Sequence, residues 1–387
     1  MGNTPTPPFR LIMKRFLFVA LLFTAVLVAG VPTLRSVTDT KSSHEAGLMG
    51  SVALPAGTDV TRPTSTEGST VSGPLWAPPP APDPVLVANV ADPPEQPRGR
   101  LIINGAGDVS LDPDYIPALA NEGYEHALSG LDGLFLEDDL TVINLECPAS
   151  DLGTRVPKQF NFRCDTNSLS VISELGVEVA NQGNNHSLDY GPEALLDSIS
   201  SIEAAGIAAV GAGADATAAH APAVFERKGW TIAVVGFGGV IPSSNWLATD
   251  SSPGMADGDT IPTMVAAIEA ADAVADLVVV TIHWGVELQS GPPQDDVARA
   301  HAMIDAGADV IFGHHPHRLN ALETYKGKPI AWSLGNFVWP RLSAAGSDTA
   351  VAQVIVEPDG SISSCLLDAT IISGGHPTLD DPSVHTC

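Results

Sequence analysis

The sequence predicts an α/β fold in which sheets and helices form layers, because short apolar strands alternate with helices and two hairpins follow. The predicted strands cover residues 101–106, 140–145, 177–181, 207–210, 223–226, 231–237, 277–283, 309–312, 350–356 and 361–370. The predicted helices cover residues 115–136, 192–205, 260–275 and 295–306, and the hairpins turn at 227–230 and 326–328. The strand at 277–283 is so uniformly apolar that we expect it at the centre of a sheet.

The N-terminal quarter of the chain predicts export from the cytoplasm. Basic residues in segment 1–15 precede an apolar run at 16–31, which is either a signal anchor or a cleaved signal peptide. Residues 32–97 are rich in Pro, Ser, Thr and Gly and are predicted to form a disordered linker. A folded domain is predicted at 98–372 and a C-terminal tail at 373–387. We therefore expect the domain at the extracytoplasmic face of a cell membrane, or secreted if the run is cleaved.

The charge and the cysteines limit the partners and the compartment. A net charge of −27 over 387 residues argues against a nucleic-acid partner, because phosphate backbones attract clusters of Lys and Arg. The cysteines are Cys147, Cys164, Cys365 and Cys387, and none lies in a C-x-x-C pair. Disulfides are expected outside the cytoplasm. The nearest pairs in sequence are Cys147 with Cys164 and Cys365 with Cys387, but three connectivities are open.

Polar residues that can bind metals stand where five of the apolar strands end, and ligands of α/β folds bind beyond the carboxyl ends of the strands. Burying a carboxylate at the end of an apolar strand, such as that of Glu146, costs free energy unless the group is paired or bound to a metal. Each motif alone also fits a turn, a cap or a core residue, but together they predict a metal centre. The positions are Asp108; Asn144 and Glu146; Asn184, Asn185, His186 and Asp189; His283 and Glu287; and His314, His315 and His317.

This ordered series resembles the CapA family of poly-γ-glutamate capsule synthesis, within the calcineurin-like metallophosphatase superfamily. The resemblance covers residues from about 101 to 340. It rests on GD at 107–108, NLE at 144–146, NNHSLDYG at 184–191, HWGVE at 283–287, GHHPH at 313–317 and SLGNF at 333–337, with KQFNFR at 158–163 as a further similarity.

The resemblance implies a four-layered sandwich of two mixed β-sheets flanked by helices. It also implies divalent metal ions, two in number and of the Mn, Mg, Fe or Zn type, that activate water for attack at phosphorus. By the same resemblance His186 protonates the leaving oxygen and Asp189 orients it. The implied metal ligands are Asp108, Glu146, Asn185, His283, His315 and His317, with Glu146 bridging. Contacts to substrate or to these ligands are expected from Asn144, Asn184, Lys158, Arg163, Glu287, His314, Arg318 and Asn336.

One position departs from the superfamily, and it leaves the activity open. Ser110 stands where the first motif usually has a histidine, which removes a nitrogen ligand and favours harder metals. The implied setting is synthesis or export of an anionic envelope polymer or its precursor, together with synthase or export subunits. Three hypotheses follow: a phosphoesterase-type enzyme, a γ-glutamyl amide hydrolase or transferase, and a non-catalytic assembly factor. The acidic composition is unfavourable for the last two, because the polymer would be repelled except at the site.

Overall fold

The structure is a computed structural model that describes residues 97–387. The predictions for segments 1–15 and 16–31, and for nearly all of the 32–97 linker, lie outside the described residues. The helices are α1 (Pro117–Glu122), α2 (Asn167–Glu174), α3 (Pro192–Ala204), α4 (Ala216–Ala219), α5 (Ile261–Asp272) and α6 (Gln294–Asp305). Within the described part of the chain, no helix has the length and apolar character needed to cross a membrane.

The strands form two large mixed sheets and one small two-stranded sheet. They are β1 (Leu101–Val109), β2 (Leu140–Leu145), β3 (Val179–Asn181), β4 (Ala208–Val210), β5 (Ala212–Gly213), β6 (Ala223–Arg227), β7 (Trp230–Gly238), β8 (Gly254–Met255), β9 (Leu277–His283), β10 (Val310–His314), β11 (Leu322–Tyr325), β12 (Lys328–Ala331), β13 (Asn336–Val338), β14 (Asp348–Val356), β15 (Ile362–Ile371) and β16 (Pro377–Leu379).

The first large sheet has the order β16-β15-β14-β1-β2-β3-β4, and β13 also pairs with β1. Its strands β1 to β4 run parallel, whereas β14, β15 and β16 pair antiparallel. The second sheet has the order β11-β12-β10-β9-β7-β6, with parallel pairs at its centre and antiparallel hairpins at both edges. The third sheet pairs β5 with β8.

The hydrophobic clusters place the two large sheets face to face with helices outside. Val142 of β2 and Val279 of β9 belong to a core shared by both sheets. Their neighbours Ile143 and Val278 point the other way, into separate clusters that include residues of α2 and α3 on one side and of α5 and α6 on the other. Because side chains alternate along a strand, a strand that is buried on both faces is apolar throughout. The predicted four-layered sandwich is confirmed, with β9 at the centre of its sheet.

Two predictions differ from the structure by more than a few residues. The predicted helix at 115–136 is broken into α1 and two short 3₁₀ turns, because Gly123 and Gly133 adopt positive φ values of 92° and 82°. The segment 373–387, predicted as a tail, is part of the fold. Its strand β16 pairs with β15, and Cys387 is joined to Cys365. The other disulfide joins Cys147 to Cys164.

Candidate metal centre

The carboxyl ends of strands from both large sheets meet at one edge of the sandwich. Strand β1 packs against β10 and β2 packs against β9, so residues far apart in sequence become neighbours. The six candidate ligands lie here, at or just after the ends of β1, β2, β3, β9 and β10: Asp108, Glu146, Asn185, His283, His315 and His317.

Ligand atoms in this cluster lie close enough to share bound cations. Atoms of Glu146, His315 and His317 all lie within 4.8 Å of one another, and so do atoms of Asp108, Glu146 and His283. Glu146 belongs to both groups, which is the position of a bridging carboxylate.

Shorter distances connect the remaining ligands. His283 Nε2 lies 3.1 Å from His315 Nδ1 and 3.0 Å from Asn185 Oδ1. His317 Nδ1 lies 3.2 Å from Asp108 Oδ2. The structure therefore brings all six candidates together.

Glu146 is the group that most clearly requires a partner. Both of its carboxylate oxygens are buried, and neither has a hydrogen-bond partner among the described residues. Ring nitrogens surround it at 3.6 Å (His283), 3.9 Å (His186) and 4.0 Å (His317). An unpaired buried carboxylate is strongly unfavourable, whereas a carboxylate among imidazoles is a typical metal-binding set. The residues present therefore fit divalent cations.

Ser110 is also part of this edge. Its hydroxyl is buried and has no hydrogen-bond partner among the described residues. Because serine has no ring nitrogen, this position lacks the nitrogen ligand that a histidine would offer beside Asp108.

Backbone strain is concentrated at the histidine motif. His315 and His317 have φ values of 96° and 51°, in a region that residues other than glycine rarely adopt. Such strain persists at functional sites, where the surrounding structure imposes it.

The backbone is also closely packed directly before Asp108, because a Cβ atom on Gly107 would lie 2.2 Å from the carbonyl oxygen of Gly335. Only glycine therefore fits directly before Asp108.

The protein groups alone leave this cluster electrostatically unbalanced. Burial raises the pKa of Glu146 well above its usual range, and the charge of Asp108 adds to the rise. Burial, together with a smaller effect of neighbouring histidines, lowers the pKa of His283 well below its usual range and that of His315 to about 4. Burial also acts to lower the pKa of His317, but the charges of Glu146 and Asp108 and the hydrogen bond with Asp108 raise it to about 9. The neutral imidazoles of His283 and His315 can bind a cation directly, whereas His317 must first lose a proton.

His186 and Asp189 form a hydrogen-bonded pair beside the cluster. His186 Nδ1 lies 2.7 Å from Asp189 Oδ2, and because a carboxylate only accepts, Nδ1 carries the proton. The other ring nitrogen, Nε2, lies 3.9 Å from Glu146 Oε1 and so faces the candidate metal ligands. Burial lowers the pKa of His186 although Asp189 acts to raise it.

Four further candidates make hydrogen bonds in this region: Asn144 and Asn336 contact candidate ligands, whereas Asn184 and His314 contact neighbouring residues. The Asn144 amide nitrogen lies 2.8 Å from Asp108 Oδ1 and 3.1 Å from His283 Nδ1. Asn184 donates to the backbone of Leu145 at 2.9 Å. Asn336 Oδ1 lies 2.8 Å from His317 Nδ1. His314 Nε2 lies 3.0 Å from Thr281 Oγ1. His314 is fully buried, so it is placed to orient neighbours rather than to reach substrate.

The remaining candidates differ in their distance from the cluster. Lys158 donates to Asp189 Oδ1 at 2.6 Å. Arg318 donates to the carbonyl oxygen of His317 at 2.6 Å. Arg163 instead stacks on Tyr190 at 3.6 Å, and Glu287 is exposed in the loop after β9. The structure does not bring Arg163 or Glu287 into the cluster.

Sequence reasoning missed several residues that shape the site. Asn181 and Gln182 belong to the same polar run as Asn184, and the Gln182 side chain donates to the carbonyl oxygen of Leu145 at 2.8 Å. Phe162 packs on the ring of His186 at 4.3 Å, and Trp339 packs on that of His317 at 4.9 Å. The aromatic residues gave no signal of their own, because contact with a histidine depends on how distant segments meet.

The layered sheets and the cluster at their strand ends define a metallophosphatase-like α/β sandwich. The profile of one family within that superfamily, described as bacterial capsule synthesis protein PGA_cap, matches residues 102–341, more than half of the chain. The chain belongs to this family.

Curated relatives agree with that membership. The chain is 30% identical over 258 residues to the PGA biosynthesis protein CapA of Bacillus subtilis, a match that covers 66% of this chain and 67% of that protein. It is 32% identical over 210 residues to the capsule biosynthesis protein CapA of Bacillus anthracis, covering 54% of this chain and 51% of that protein. The chain thus spans about half the length of the second relative. Among solved structures, NAD nucleotidase of Haemophilus influenzae is similar with 13% identity and a TM-score of 0.44, over 73% of this chain and 60% of that one.

Proposed function

We propose that the chain acts in the synthesis or export of a poly-γ-glutamate capsule as a metal-dependent hydrolase of phosphoester type. Family membership and the names of the relatives support the capsule setting. The single observation that supports the metal-dependent activity is the buried carboxylate of Glu146, which has no hydrogen-bond partner among residues 97–387 and is surrounded by imidazole nitrogens.

Two ligand sets that share Glu146 are proposed to hold the cations, and they are divided by the contacts given below rather than by the two distance groups described above. Asp108 and His317, which are in contact, would bind one ion. The second ion would be bound by His283, Asn185 and His315, because His283 Nε2 contacts both of the other side chains. When bound, divalent ions supply Lewis acidity toward a phosphoryl or carbonyl oxygen.

The protein side chains perform the remaining work. Asp189 fixes one proton of His186 on Nδ1, so the proton passed to the leaving oxygen is the second one, which the imidazolium form carries on Nε2. Asn144 connects Asp108 to His283 through one amide group and limits the movement of both. Burial of these groups excludes water, which strengthens electrostatic interactions within the site.

We also propose that the domain works outside the cytoplasm, held by or cleaved from the apolar segment at 16–31. The two disulfides support this location, because such bonds persist in oxidising compartments. The proposed partners are the anionic polymer or its precursor and the subunits that synthesise or export it.

A second candidate function is non-catalytic assembly, in which bound cations hold polymer carboxylates. Ser110 favours it, because the loss of a nitrogen ligand weakens one metal position. The same ions would serve a γ-glutamyl amide hydrolase or transferase by polarising a carbonyl.

One assay series separates these functions. Purified protein with Mn²⁺ is tested on phosphodiesters, phosphomonoesters and poly-γ-glutamate, with metal content measured in parallel. We expect turnover of a phosphoester that is lost in His186→Ala while bound metal is retained. The matched control is His301→Ala, which removes a ring stacked on Tyr325 in a different part of the fold. Polymer binding without turnover of any substrate would favour assembly, and polymer cleavage would favour the amide hydrolase.

A further inference from the structure

Residues 148–163 form a loop that a disulfide closes at its base. Cys147 and Cys164 are bonded and buried, and Cys147 directly follows Glu146. The backbone adds to the closure, because the Cys164 amide donates to the carbonyl oxygen of Pro148 at 3.1 Å. The base of this loop is therefore fixed next to a candidate metal ligand.

The loop lies along the segment that carries His186 and Asp189. The Val156 amide donates to the carbonyl oxygen of Asp189 at 2.9 Å, and the Phe162 amide donates to its Oδ2 at 2.8 Å. The Phe162 ring packs on that of His186. A cross-linked loop has fewer conformations to lose on ordering, so these contacts form at a lower entropic cost.

Lys158 is the residue of the loop whose side chain contacts both Asp189 and His186. Its ammonium group donates to Asp189 Oδ1 at 2.6 Å and to the carbonyl oxygen of Asn185, and it lies 3.2 Å from His186 Nδ1. The Lys158 side chain is 21% exposed and that of Asp189 is 0% exposed. A fully buried carboxylate requires a counter-charge, and Lys158 is the cation in contact with it.

We propose that Lys158 is the internal counter-ion of Asp189, and so a positioning residue for His186, and that the disulfide-closed loop holds it there. Its charge is then used inside the protein, so of the two expectations for Lys158, contact with substrate or with residues of the site, the second applies. Asp189 is then held at both oxygens, by Lys158 at Oδ1 and by Phe162 and His186 at Oδ2. The part of this inference that concerns catalysis rests on the proposed function, whereas the pairing of Lys158 with Asp189 does not.

The kinetic test is a double-mutant cycle of Lys158→Met and Asp189→Asn. Groups that orient functional residues typically account for about 10- to 100-fold of activity. We expect kcat to fall by that factor in Lys158→Met with KM and metal content unchanged, and the double variant to be no slower than Asp189→Asn alone. The matched control is Arg155→Met, which removes an exposed cation of the same loop and should leave kcat unchanged. A raised KM with unchanged kcat, or additive losses in the double variant, would overturn the proposal.

A thermal-unfolding cycle on the same variants tests the pairing without any substrate. Each single change leaves a buried group unpaired, so each should lower Tm, and the charge-balanced double variant should lose less than the sum. Additive Tm shifts would reject the counter-ion role even if the protein is an active hydrolase. Non-additive shifts in a protein that turns over no substrate would support the pairing and reject the proposed function, so the two failures are distinguishable.

Discussion

Glu146→Gln should have opposite effects on the protein with and without metal. The amide has the shape of the carboxyl group and resembles its neutral form, which is the form that burial favours at this position. Without metal, removing an unsatisfied buried carboxylate should stabilise the fold by on the order of 1–3 kcal/mol. With metal, the variant lacks the shared anionic ligand, and binding should be largely lost.

The size of the metal effect follows from linkage. A cation at 100 times its Kd stabilises the native state by about 2.7 kcal/mol. Taking roughly 2 °C per kcal/mol for a large domain, chelator-treated Glu146→Gln should melt about 2–6 °C above the chelator-treated wild type. Addition of Mn²⁺ should raise Tm by about 5 °C in the wild type and hardly at all in the variant.

Differential scanning calorimetry with chelator and with Mn²⁺ measures both effects. The matched control is Glu178→Gln, which alters another carboxylate with a pKa raised by burial, one that accepts a hydrogen bond from the Thr141 amide away from the cluster. That variant should keep the full response to Mn²⁺. The reasoning is refuted if Glu146→Gln melts below the wild type in chelator and still responds to Mn²⁺ as the wild type does.

Three further outcomes are expected. His315→Ala should reduce the bound metal measured by plasma emission spectrometry, and unchanged metal content would remove His315 from the ligand set. Mn²⁺ affinity measured by calorimetric titration should rise with pH from 6 to about 9. The reason is that Glu146 and His317, whose pKa values are both raised, must lose protons to bind a cation. An affinity that does not change with pH would contradict this. Replacing Cys147 and Cys164 by Ser should destabilise the fold by about 2–4 kcal/mol and expose residues 148–163 to proteolysis, whereas a loop that stays protected would show that the disulfide is dispensable.

The large elements of the fold were predictable because their patterns are local. The strand at 277–283 is apolar at nearly every residue, and the helix α3 is amphipathic over several turns. These patterns indicate both the kind of element and its approximate length. The strand β16 has only three residues and begins with Pro377, so no periodicity marks it. It forms because it turns back onto the free edge of β15, which ends at Ile371, and the three residues themselves carry no sign of that pairing.

The candidate ligands were predictable for a different reason. Polar residues at the ends of apolar strands conflict with burial, and the conflict is visible along the chain at Glu146 and His283. The role of Lys158 was not visible, because a lysine next to aromatic residues has the same composition whether it faces substrate or an internal carboxylate. Its orientation depends on the loop closure between Cys147 and Cys164, and sequence left three disulfide connectivities open.

Anomalous diffraction from crystals of the protein grown with Mn²⁺ tests the metal centre most directly. We expect anomalous density within coordinating distance of Glu146, with His283, His315, His317 and Asp108 as the other ligands. Density that lies away from Glu146, or none at a Mn²⁺ concentration that saturates binding in solution, would contradict the assignment of this metal centre.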